Sequence, residues 1–131
     1  MKFRTYVWVD GESFDADSFN ASSEDASLQG LVLSRKKLTN GKVESGGRYW
    51  KSEVIDVFSE YPEEALSKLL SRLKDELLRI RDLPGIRIVA ELVAEYEDTD
   101  SMRGFFFTKE NIRLLAELGA NLDIDVVRKL K

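Results

Sequence analysis

Apolar residues recur along this chain with two different periods, and stretches of one alternate with stretches of the other. From Phe3 to Val9, aromatic and β-branched residues dominate, which predicts a strand. Asp10-Gly11-Glu12-Ser13 reads as a turn. Ser13 is the expected cap of a short helix through Phe14, Asp15, Ala16, Asp17 and Phe19, with acids near its positive end. Asn20 to Gln29 is small and polar and reads as loop, and Leu31-Val32-Leu33 as a short strand. Asn40-Gly41 is a tight-turn signal and Gly46-Gly47 a second break. Arg48 to Phe58 alternates as one further strand.

The second period is clearest after Pro62, a residue that fits a first helical turn because its missing N–H costs nothing there. Leu66, Leu69, Leu70, Leu73, Leu77 and Ile80 fall on one stripe, with Lys68, Arg72, Asp75, Glu76 and Arg79 elsewhere. That predicts a helix ended by Pro84-Gly85, its stripe turned to the core. Ile86, Ile88, Ala90, Leu92, Ala94 and Tyr96 then alternate as a long strand with one buried face. Gly104 to Phe107 reads as a short strand after the acidic loop Glu97 to Asp100. Thr108 caps a helix carrying Ile112, Leu115 and Leu118, and Gly119 stops it. Leu122, Ile124 and Val126 make a last strand.

The expected order is β-α-β-β-α-β-β-α-β. The fold class is α+β, an antiparallel or mixed sheet with helices on one face. Its first six elements follow the ferredoxin-like βαββαβ order, and a further β-α-β extends it. At 131 residues this is one domain, residues 1–131, with enough chain to bury a core unaided.

Composition narrows the chemistry. Cysteine and histidine are both absent, which removes thiol catalysis, the usual zinc ligands and a Ser-His-Asp triad. The lack of cysteine fits a reducing compartment, so the expected location is cytoplasmic. No apolar run approaches the roughly 20 residues that span a bilayer, and no membrane partner is expected. Net charge is −4, and residues 1–30 hold six acids against two bases. Such a chain lacks the drive toward phosphate backbones that nucleic-acid binders show, and suits a basic protein partner.

The C-terminal third carries a resemblance. Gly104-Phe105-Phe106-Phe107-Thr108-Lys109-Glu110-Asn111-Ile112, Glu117-Leu118-Gly119 and Leu122-Asp123-Ile124-Asp125 resemble a bacterial family known as domain of unknown function 4279. Gly11 with Phe14-Asp15-Ala16-Asp17, and the Tyr49-Trp50 strand, look like the same family's other marks. The resemblance brings no catalytic residues. Small acidic bacterial families of this kind include immunity proteins that neutralise a toxin by binding it, and by that analogy the chain is read as immunity-type.

Each motif in the chain that suggests a chemistry also has a plainer role. An EF-hand loop starting at Asp15 would place Phe19, Asn20 and Ala26 at its fifth, sixth and twelfth positions, so it fails. One starting at Asp98 fails as well, with Met102 and Arg103 at the fifth and sixth. Asp123 and Asp125 read as the wet face of an edge strand. Gly46-Gly47 lacks a following P-loop lysine. Lys36-Lys37 reads as a solvated basic turn. Arg103-Gly104-Phe105-Phe106-Phe107 partly matches an RNA-recognition strand, with Phe105 and Phe107 as stacking platforms, but three consecutive Phe more often serve a core. Trp8 or Trp50, whichever lies on an open sheet face, is a candidate interface anchor.

The leading expectation is a non-enzymatic protein-binding module whose interaction residues are Asp10, Glu12, Asp15 and Asp17. No catalytic, cofactor-binding or metal-binding residue and no cofactor is assigned. The alternatives are a carboxylate-only enzyme, such as a glycoside-processing hydrolase with two acids across a cleft, and single-stranded RNA binding through Phe105 and Phe107.

Overall fold

The computed structural model of the chain describes residues 2–21, 30–39, 42–58, 61–97, 100 and 104–129. In chain order the elements are β1 (Lys2–Asp10), α1 (Ala16–Ala21), β2 (Leu31–Thr39), β3 (Lys42–Lys51) and β4 (Ile55–Val57). They continue with α2 (Pro62–Leu78), β5 (Arg87–Tyr96), α3 (Lys109–Glu117) and β6 (Ala120–Arg128). The strands form one mixed sheet in the order β2-β3-β1-β5-β6, with β4 paired to β1 beyond the end of β3. All pairings are antiparallel except β5 with β6, which run parallel around the α3 crossover. The architecture is α+β.

Burial follows the pleat. Phe3, Thr5, Val7 and Val9 of β1 point inward, with Trp50 of β3 and Ile88, Ala90 and Leu92 of β5. The leucine stripe of α2 covers this side: Leu66, Leu69, Leu70, Leu73 and Leu77 are all buried. Phe19 of α1 and Leu115 and Leu118, in and just after α3, complete the same core. Trp50 is therefore the inner tryptophan, and its indole donates to Asn20 Oδ1 at 3.0 Å. Trp8 lies on the opposite, open face with Arg4 and Tyr6.

Several expectations are corrected, each for a local reason. Asp15, not Ser13, caps α1: its Oδ1 accepts from the Ser18 amide at 3.0 Å, and a Phe14-to-Gly11 bond keeps the preceding residues in a turn. Asn20 lies in that helix rather than in a loop. β2 is longer than Leu31 to Leu33, so Lys36-Lys37 belongs to a strand backbone. Gly46-Gly47 does not break the chain but sits within β3. There the register slips between Ser34 and Lys36, and Gly47 takes φ +93°, so one extra residue bulges from the ladder. The stretch Arg48 to Phe58 is two strands, because the Ser52 hydroxyl takes the Val7 amide at 2.9 Å and kinks the chain between β3 and β4.

Gly104 to Phe107 is not a strand. Both edges of β5 are already filled, by β1 and β6, so the segment cannot pair with that strand. Instead the Phe106 amide donates to the buried Glu63 carboxylate of α2 at 3.0 Å. Phe105 and Phe107 stack at 6.4 Å and pack on the core, and Phe106 points to water. A β-α-β extension is thus reduced to α3 and β6. Asn40-Gly41, most of the 20–29 loop, Arg103 and Asp98 lie outside the described residues, although Thr39 and Lys42 pair across Asn40-Gly41.

The α2 stripe carries a stability prediction. Leu73 is 1% exposed, so Leu73→Ala should cost about 2–5 kcal/mol in urea unfolding. Lys68→Ala on the solvent side should stay within about 0.5 kcal/mol. Equal effects would mean that the stripe is not the core.

Candidate functional site

At one end of the sheet the chain leaves β1 through Asp10 and Gly11 and enters α1. A Cβ on Gly11 would sit 2.9 Å from the Gly85 carbonyl oxygen, so only glycine lets this turn lie against the loop before β5. The turn, α1 and the bulged part of β3 enclose a cavity of about 740 Å3. Asp10, Glu12, Asp15 and Asp17, the four residues expected to form an interaction patch, all line it, together with Arg48, Tyr49 and Arg87.

The cavity is less acidic than the sequence implies, because two of its acids are matched. Arg87 lies directly across from Asp10 and grips it with two bonds, Nε to Oδ1 at 3.0 Å and an Nη to Oδ2 at 2.8 Å. Arg48 reaches Asp17 at 3.1 Å. One oxygen of Asp15 is spent on the α1 cap. Four carboxylates against two guanidiniums leave the lining net negative, with both signs present. The Asp10 bond holds the Arg87 guanidinium above its already high ordinary pKa.

From this cavity an array of contacts runs along the open face. The Arg87 guanidinium lies 4.8 Å over the Trp8 ring, and Tyr49 meets that ring edge-on at 6.5 Å. The Trp8 indole then donates to Glu91 Oε1 at 2.8 Å. Trp8 is thus the open-face tryptophan, held by partners on three sides.

Glu91 opens a second constellation. It is only 5% exposed, and the parallel β5–β6 register sets it beside Asp123, with Asp125 next on the same face. Carboxylate oxygens of Glu91, Asp123 and Asp125 lie within 4.8 Å of one another. Burial pushes the Glu91 carboxyl above its ordinary range; the Trp8 bond opposes this, and Asp123 and Asp125 add to it. Tyr6, across the sheet from Glu91, has its phenol pushed up by burial and by the charges of Glu91 and Asp125. Asp123 and Asp125 do stand exposed on an edge strand. What the sequence reading left out was Glu91: its signal was a carboxylate in the middle of an otherwise apolar strand.

A sheet with one helix-covered face, one open face and a mixed-charge cavity at its end makes this a small α+β scaffold. The chain belongs to the family described as Domain of unknown function (DUF4279), whose model matches residues 2–128. No curated protein matches it. No helix among the described residues is long and apolar enough to cross a membrane.

The Arg87 contacts give a test of this geometry. In Arg87→Ala, Trp8 loses its guanidinium cover, so tryptophan emission should shift to the red while the buried Trp50 contribution stays in place. Arg87 is 51% exposed, so the loss of its ion pair with Asp10 should cost no more than about 1 kcal/mol. An unchanged spectrum would separate Arg87 from Trp8.

Proposed function

We propose that this chain is a non-enzymatic binding module that takes a basic segment of a protein partner into the cavity between α1, β3 and the end of β1. The observation that carries this reading is the convergence of Asp10, Glu12, Asp15 and Asp17 on one concave wall. The cavity size is in the range that receives a long side chain or a short peptide segment. Asp10 is held in place by the two-bond grip of Arg87, and a group ordered before a partner arrives loses less entropy on binding. Arg48 supports an added preference for a carboxylate next to the incoming base.

A toxin whose basic surface is covered in this way is one such partner, and the immunity-type reading is the same proposal with that partner. We read the site of action as the cytoplasm, in keeping with the absence of cysteine. We also read the run β1-α1-β2-β3-α2-β5 as a ferredoxin-like unit. The carboxylate-only enzyme draws no support from this cavity, where two of the acids already face arginines. Single-stranded RNA binding draws none from Phe105 and Phe107, whose rings are engaged with each other and with the core.

The test is a titration with short lysine- and arginine-bearing peptides, followed by tryptophan emission and by backbone amide shifts. Binding should weaken steeply between about 50 mM and about 500 mM salt. It should fall about tenfold or more in E12Q/D17N, the equivalent of about 1.4 kcal/mol. Salt-insensitive binding, equal affinity for acidic peptides, or shifts confined to another surface would each overturn the proposal.

A further inference from the structure

The three carboxylates on the open face are a separate feature from the cavity and call for their own account. We propose that Glu91, Asp123 and Asp125 bind a divalent cation of the calcium type on the open face of the sheet.

The donor set is all oxygen, which selects hard cations over zinc or copper. Its oxygens lie within 4.8 Å of one another, a span that a cation about 2.3–2.6 Å from each oxygen can bridge. The two exposed aspartates, which could splay into water, instead converge on the buried Glu91. These two, Asp123 and Asp125, sit on an exposed edge strand and leave room for water to fill the remaining positions.

Independent support comes from within Glu91. One oxygen, Oε1, is taken by the Trp8 indole. The other, Oε2, is buried and accepts no hydrogen bond, on a side chain only 5% exposed. A buried carboxylate oxygen with no donor is a rare and unfavourable state, relieved by a cation or a proton.

The nearby positive side chains do not relieve it. Arg4 is drawn to Glu95, four residues further along β5 on the same face, and Lys51 lies 4.5 Å over the Tyr6 ring. Among the described residues, no basic side chain pairs with any of the three acids.

Trp8 supplies the readout. Terbium occupies calcium sites and emits when a neighbouring indole is excited, and the indole here is bonded to a ligand carboxylate. Terbium added to the metal-free protein should give sensitised emission that calcium displaces, and calorimetry should record calcium binding in the range of about 10⁻⁴–10⁻³ M. E91Q keeps an acceptor for the indole, so the fold is retained, but calcium affinity should drop at least tenfold. D123N/D125N should abolish both signals. Trp8→Phe should lose most of the terbium emission and retain calcium binding by calorimetry.

No calcium binding at about 10 mM, or binding that E91Q and D123N/D125N leave intact, would overturn the site. So would a Glu91 carboxyl that stays protonated when calcium is added, because the cluster would then be sharing a proton. Urea unfolding of each variant shows whether lost binding reflects a lost fold.

Discussion

Burial of the α2 leucine stripe against the inner side of β1 and β5 is the constraint on which the rest of this molecule depends. A strand has two faces and no intermediate choice, so once Val7, Val9, Ile88 and Ala90 are committed to the leucines, Tyr6, Trp8 and Glu91 must face out. A one-residue slip of β5 would bring Glu91 under α2 and place Leu92 in water. The open face therefore owes its chemistry to a packing decision made on the opposite side. Each buried leucine contributes roughly 1.5–3 kcal/mol, and the stripe outweighs what the exposed charges could gain by rearranging.

The parts of the fold governed by a single period were legible in the sequence. The α2 stripe, the alternation of β1 and β5 and the Thr108 cap with its Asn111 partner follow from side-chain spacing or local capping chemistry. Features governed by competition between segments were not. Phe105 to Phe107 have every local mark of a strand, yet β6 takes the free edge of β5 and leaves them as an irregular plug held by Glu63. The division of β3 from β4 depends on one hydroxyl, that of Ser52, reaching across to another strand. Neither partner can be named from its own stretch of chain.

The two sites divide in the same way. Asp10, Glu12, Asp15 and Asp17 are close in sequence, so a short turn and one helical turn were enough to gather them, and the acid count of the first segment pointed there. Their partners Arg48 and Arg87 come from distant strands, and only the register of β1 with β5 sets Arg87 against Asp10. A local acid count therefore overstated the charge of the cavity. The Glu91 cluster is the opposite case, since no two of its members adjoin and one of them lies on another strand. It exists because a parallel pairing, invisible to periodicity, puts Glu91 beside Asp123.

Contact between the two sites is continuous: Asp10 to Arg87, Arg87 to the Trp8 ring, the Trp8 indole to Glu91. Continuity alone does not make a signal path, which requires an element with two packed arrangements that both ends can bias. Trp8 is held in one arrangement here. Its ring is fixed between Arg87 and Tyr49, and its one polar hydrogen is spent on Glu91. The physical consequence is preorganisation rather than switching. Trp8 fixes one Glu91 oxygen and leaves the buried second oxygen without a hydrogen-bond partner, and it gives Arg87 a flat surface on which to hold Asp10 in place. A residue without a ring at position 8 would remove that support from both. The cavity and the carboxylate cluster are thus two uses of one rigid aromatic support.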